Sequence, residues 1–207
     1  LPRTLSDLDA NYEFQLGKTA RVADRLTQQV IVKPRDGYRY GYHFWADRET
    51  GLLLQADLRD AQGKLLEQFM FTHAVIGGKI AEFALQPQSE SKSFTWHREA
   101  EGAATPATPA WSAAKLPNGF KLATHLSRQS PRRKVPTQHL VYTDGLATVS
   151  VFIERSGKNE ALALRGASHM GAVHASTTRQ NEFQITAVGE VPMETVHLIA
   201  HAMTPTR

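Results

Sequence analysis

The segment from Tyr38 to Phe71 constrains the fold more than any other part of the chain. Tyr38, Tyr40, Tyr42 and Phe44 alternate with Arg39, Gly41, His43 and Trp45. Period-2 alternation sends successive side chains to opposite faces, and so predicts a β-strand with one buried face. Asp47 to Gly51 supplies a turn, and Leu52, Leu54, Ala56 and Leu58 alternate on a second strand. Asp60 to Gly63 then turns the chain into a third strand, Leu66 to Phe71. The product is a meander with an apolar inner surface, better suited to holding a greasy ligand than to catalysis.

The aromatic row has two readings. Its rings line an acyl-chain groove with the phenol hydroxyls at a wet rim, or they form a packed core. Cross-strand aromatic packing is the commoner use and takes precedence. Trp45, on the other face, is harder to place in a core and points to a domain or partner contact.

Tyr12 to Leu16 and Leu26 to Lys33 add two strands before the meander, with Pro34 and Asp36–Gly37 marking the break. Residues 87–110 are rich in Ser, Glu, Ala, Thr and Pro, a composition that buries no core and favours an extended spacer. Beyond it strands return at Phe120 to Leu126, Gln138 to Thr143, Leu146 to Glu154 and Phe183 to Val188. Asp144–Gly145 reads as a two-residue hairpin turn. Pro192 suits the first residue of a helix, Val196, Ile199, Ala200 and Met203 form its apolar stripe, and Thr204–Pro205 ends it. The organisation expected is therefore residues 1–86, a spacer at 87–110, and residues 111–207 as an antiparallel sheet covered by one C-terminal helix.

Composition excludes several chemistries. The 207 residues contain no cysteine, which removes thiol catalysis, zinc–thiolate sites and disulfide scaffolds. A formal charge of +4 falls short of the basic stripe that nucleic-acid binding requires, so no nucleic-acid partner is expected. No apolar run has transmembrane length, and the residues from Leu1 onward show no charged-then-apolar leader pattern, which for a truncated chain says nothing about location. His197 and His201 have the i, i+4 spacing of metal ligands, but no glutamate lies between them and both flank the apolar stripe. Ser168 and His169, with Glu160 nearby, lack a nucleophile elbow, and the stretch from Arg165 to Gly171 reads as a glycine-flanked loop. Gly77–Gly78–Lys79 lacks the spacing and hydroxyl of a phosphate loop. Asp47, Glu49, Asp57 and Asp60 are distributed as turn residues rather than as a catalytic pair. No cofactor and no catalytic residue are expected. Arg128, Arg132, Arg133 and Lys134 flank Pro131 in a basic loop, which either meets an acidic partner or lipid phosphates or is simply solvated.

Several segments carry a resemblance. The meander, Trp111, Leu116 to Phe120, His139 to Glu154 and Val188 to Pro192 are together similar to the RseB/MucB family of periplasmic regulators of an envelope-stress sigma factor. The resemblance spans most of the chain in family order. It implies a fold that is mainly β with some α. Residues 1–86 would be the C-terminal portion of a lipoprotein-carrier-like (LolA-like) half-open antiparallel β-barrel, whose N-terminal part would lie upstream of Leu1. It also implies a periplasmic, non-enzymatic protein that binds the periplasmic segment of an anti-sigma factor of the RseA/MucA type and shields it from site-1 proteolysis. In this picture the carrier-like part senses lipopolysaccharide or lipoprotein acyl chains. Arg132, Arg133, Lys134, Tyr142, Phe152 and Glu190 are then the expected partner contacts, and Tyr38, Tyr40, Tyr42, Phe44, Leu54, Phe69 and Phe71 the expected lipid-facing residues. An incompletely covered apolar sheet also raises the expectation of a homodimer or a bound amphiphile. The alternative is a lipid or lipoprotein carrier with no regulatory partner.

Overall fold

A computed structural model describes residues 6–85, 109–128, 137–155 and 166–206. A short helix, α1 (Ser6–Asp9), leads into strands β1 (Tyr12–Val22), β2 (Arg25–Pro34), β3 (Gly41–Asp47), β4 (Leu53–Arg59) and β5 (Leu65–Met70). These pair antiparallel in chain order as one five-stranded sheet with β1 and β5 at its edges, so the sheet is open. After a 3-10 turn (Glu82–Leu85) come β6 (Trp111–Ala113), β7 (Lys121–Arg128), β8 (Thr137–Thr143), β9 (Thr148–Arg155), β10 (Gly166–Met170), β11 (Val173–Gln180), β12 (Phe183–Gly189), α2 (Met193–Ala202) and β13 (Met203–Pro205). The second sheet has the order β10-β11-β12-β9-β8-β7, and β13 pairs with β6 in a separate ribbon. The mainly β architecture expected from the sequence is the one observed.

Its core obeys the alternation of β9. Val149, Val151 and Ile153 are buried against Leu140, Tyr142, Ile185 and Ala187, and α2 closes this face with Val196, Ile199 and Ala200. Trp111 and Phe183 meet edge to face at 5.2 Å at the rim of the same cluster.

Five expectations need correction. Pro192 caps α2 rather than opening it, and the buried Met203 belongs to β13 instead of the helix stripe. Pairing of β13 with β6 satisfies backbone groups that a longer helix would leave open. The turn is displaced by one residue from Asp144–Gly145: Thr143 pairs with Thr148, and Asp144 N–H donates to the Ala147 carbonyl, leaving Gly145 and Leu146 at the tip. The supposed loop around Ser168 is strand β10, whose partner β11 shows no clear hydrophobic alternation in sequence. In a strand Ser168 and His169 point to opposite faces, which disposes of the hydrolase reading. β1 runs on to Val22 because Ala23 and Asp24, with φ of 50° and 59°, make a tight turn without glycine. The spacer at 87–108 and Glu160 lie outside the described residues.

Candidate functional site

Strand register builds an apolar trough on one face of the first sheet. Its outer row runs Leu16, Val30, Phe44, Ala56 and Phe69 across the five strands, and its inner row runs Phe14, Val32, Tyr42, Leu58 and Glu67. Tyr42 and Phe44 stack at 5.3 Å, and Phe69 meets Phe71 edge to face at 5.2 Å. The outer row is open at its ends, where Leu16 is 79% and Phe69 57% exposed. In the inner row Val32 and Leu58 are buried. The opposite face is polar, centred on buried Asp57, which accepts hydrogen bonds from Gln55, Gln68 and Arg59. Burial pushes the Asp57 carboxyl up, but these three donors outweigh it and hold the group below its ordinary value.

The inner row is covered by two hairpin tips of the second sheet. Leu146, from the β8–β9 loop, packs against the cluster of Leu8, Tyr12 and Val32, which Val30, Tyr42 and Phe44 also join. Ala172, from the β10–β11 turn, is buried with Tyr40 and Leu58.

A buried ion pair fixes this junction. Arg39 Nη1 donates to Asp144 Oδ2 at 2.6 Å, with both side chains fully excluded from solvent. Tyr12 donates its hydroxyl to the same oxygen at 2.9 Å. The other carboxylate oxygen, Oδ1, accepts from the amides of Leu146 and Ala147, so one carboxylate both shapes its own loop and binds the other sheet. Arg39 also donates to Asp36 and to the Asn118 carbonyl, and its guanidinium lies 5.3 Å from the ring centres of both Tyr12 and Phe120. Burial, and then the Asp144 charge, push the Tyr12 phenol far above its ordinary value, so it stays a donor.

Smaller contacts complete the joint. Thr195 on α2 donates to the Tyr38 carbonyl at 2.6 Å, and Tyr40 Oη lies 3.3 Å from His174 Nδ1. Gly119 adopts φ of +82°, and a Cβ there would strike the buried Asn11 side chain. Glu190 is exposed, yet partial desolvation and then the charge of Glu67, at the end of the inner row, raise its carboxyl above the ordinary value. Tyr42 is pushed up to about 12 by burial and then by Asp144 and Glu190.

The structure separates the residues singled out in the sequence. Tyr42, Phe44, Phe69 and Phe71 are presented on or beside the trough, partly or largely exposed. Leu54 is fully buried and Tyr40 nearly so, and neither offers a surface to a ligand in this arrangement. Tyr38 and Tyr40 precede β3, since Asp36 accepts the Tyr38 amide and bends the chain; the four-ring strand face is therefore only two rings long. Tyr142 is core, its hydroxyl accepting from Ala113 N–H and contacting Met203 Sδ. Phe152 lies on the face of the second sheet away from α2, stacked on His139 at 4.4 Å. Arg132, Arg133 and Lys134 lie outside the described residues. His197 and His201 are exposed neighbours 4.0 Å apart, and among the described residues no group of three or more His, Asp or Glu is placed to hold a metal.

Arg39 and Asp144, which organise the joint, are not apparent as site residues from sequence pattern. One signal was available. Leu116 to Phe120, Asp144 within His139 to Glu154, and Glu190 within Val188 to Pro192 all come from the resembling segments, and all three meet at this junction.

Family models match both sheets. The MucB/RseB N-terminal domain matches residues 1–89 and the MucB/RseB C-terminal domain matches residues 105–204. The chain belongs to the MucB/RseB family. It is 37% identical over 204 residues to the Sigma factor AlgU regulatory protein MucB of Pseudomonas aeruginosa, covering 97% of this chain and 63% of that protein. It is 31% identical over 208 residues to the Sigma-E factor regulatory protein RseB of Escherichia coli K12, covering 93% of this chain and 59% of that one. The chain thus spans about three fifths of the length of the curated relatives it matches. Among solved structures, the Pseudomonas aeruginosa MucA/MucB complex superposes with a TM-score of 0.78 at 33% identity, over 98% of this chain and 68% of that one. A crystal structure of MucB superposes at 0.68 and 32% identity, over 97% of this chain and 66% of that one.

Proposed function

We propose that this chain is the working part of a periplasmic negative regulator of envelope-stress sigma-factor signalling. It binds the periplasmic segment of an anti-sigma factor of the MucA type and shields that segment from site-1 proteolysis. Residues 1–86 and 111–207 act as two cooperating units, the first holding acyl chains of lipopolysaccharide or lipoproteins in the trough. The observation that carries this reading is similarity across both sheets to MucB in complex with MucA. Supporting the lipid part, Phe14, Leu16, Phe69 and Phe71 leave apolar surface in water on one continuous face. Fully burying an exposed side chain of this size is favourable by about 1.5–3 kcal/mol, and these partly covered ones gain in proportion to the surface still open.

The partner part is tested by mixing the chain with the periplasmic segment of a MucA-type protein and challenging the mixture with a site-1-type protease. Co-elution and a slowed cleavage of the segment are expected. Independent elution and unchanged cleavage, with the trough still binding amphiphiles, would leave a lipid carrier without a regulatory partner.

A further inference from the structure

The inner row of the trough is occupied by the chain itself. Leu146 is the side chain that the β8–β9 loop delivers there, packed against the Leu8, Tyr12 and Val32 cluster. Val30 and Phe44 belong both to the open outer row and to the surroundings of that cluster. Strands about 4.8 Å apart make the outer row roughly 19 Å across five strands, and the two rows are only about 7 Å apart along a strand. Val30 and Phe44 pack against the same Leu8, Tyr12 and Val32 cluster as Leu146, so an aliphatic chain laid along the outer row passes within about 7 Å, one row spacing, of the residues that seat the loop.

Leu146 cannot leave alone. Asp144 Oδ1 holds the Leu146 amide at 2.9 Å, while Oδ2 holds Arg39 and Tyr12. Lifting the tip thus draws on the same carboxylate that joins the two sheets. That is a two-state element, and a ligand shifts it by its difference in affinity for the two states.

We propose that the β8–β9 tip, led by Leu146, competes with an aliphatic chain for the trough, so that filling the trough displaces the tip and uncouples the two sheets. This rests on the trough being an acyl-chain site. Occupancy is thereby transmitted to the second sheet by exclusion. The tip also lowers apparent affinity for the chain, because only the fraction of molecules with the tip lifted is fully competent to bind.

The experiment uses the whole chain and a fluorescent eleven-carbon fatty acid as probe, with small-angle scattering in parallel. Leu146→Ser removes the plug, Leu146→Met keeps it, and Leu16→Glu charges an outer-row position on the edge strand that is 79% exposed. Leu146→Ser is expected to bind at least about fivefold more tightly than the native chain, Leu146→Met within about twofold, and Leu16→Glu at least about fivefold more weakly. Probe should expand the native chain, and Leu146→Ser should be expanded before probe is added. The Leu146→Met variant guards against reading a misfolded tip as competition. Equal affinity of the native chain and Leu146→Ser, with Leu16→Glu still weakened, overturns the competition and leaves the acyl-chain reading standing. No binding, or binding indifferent to Leu16→Glu, removes the acyl-chain reading and the competition with it.

Discussion

Replacing Asp144 by Ala tests whether the two sheets are joined by one buried charge. Arg39 would stay fully buried, with Asp36, whose side chain is 27% exposed, as its remaining counter-charge. Removing one partner of a buried pair costs about 3–5 kcal/mol, and the residual Asp36 contact places this case near the lower end, about 3 kcal/mol. The loop amides of Leu146 and Ala147 lose their acceptor as well, at about 1 kcal/mol each. The sum, about 5 kcal/mol, is comparable with the whole stability of a small protein, typically about 5–15 kcal/mol. Asp144→Asn keeps an acceptor for both amides, and should lose about 2 kcal/mol less than Asp144→Ala. Combining Asp144→Asn with Arg39→Met removes the orphaned charge, so the double variant should be less destabilised than the sum of its singles. Urea unfolding read by circular dichroism and by fluorescence gives these values, using single-tryptophan forms that keep either Trp45 on the first sheet or Trp111 against the core of the second, with Trp96 replaced in both. The two probes should coincide in the native chain and separate in Asp144→Ala. A loss below about 1 kcal/mol, or strictly additive singles, would refute the buried pair as the fastening of the junction.

Two further outcomes follow from the same geometry and sequence. The Glu190 carboxyl is raised by burial and by Glu67, so its contribution to stability is complete below the unfolded carboxyl value, about 4.3, and is lost as pH rises through the higher folded value. Because Glu190 is exposed and its charge is screened by solvent, Glu190→Gln should raise the melting temperature only slightly at pH 7 and leave it unchanged near pH 3.5; a lower melting temperature at pH 7 would mean that the charge makes a favourable contact. Replacing Arg132, Arg133 and Lys134 together by Ala should slow association with an acidic partner segment at low salt and change little at high salt, because exposed charges are screened beyond about 10 Å at 0.1 M. Stopped-flow rates that are the same in both salts for native chain and variant would remove these three charges from partner association.

Much of the local structure was legible because its causes are local. Alternation placed Tyr42 and Phe44 on one face, and Val149, Val151 and Ile153 on another, and both sets point as expected. Asp47 and Asp60 shape turns, as their spacing indicated: Thr50 donates to the first, and the amides of Gln62 and Lys64 to the second, whereas Asp57, also read as a turn residue, is buried within β4. The strands β10 and β11 were not legible, since one is exposed throughout and the other carries mostly Thr, Ser and polar residues.

The residues of the junction could not be read from pattern, for a specific physical reason. Arg39 sits at an alternating position that reads as solvent-facing, and an unpaired arginine would belong there. It is buried because its counter-charge, Asp144, arrives from 105 residues away, and because Tyr12 and Phe120 close over the guanidinium. Asp144 in turn looks like an ordinary turn aspartate, and its Oδ1 behaves as one. Periodicity and turn chemistry determined the strands, the turns and an apolar face in need of cover. Which side chains cover that face, and that two hairpin tips of the second sheet cover only its inner half, depend on long-range packing and the burial of a charge, and only the tertiary structure decided them.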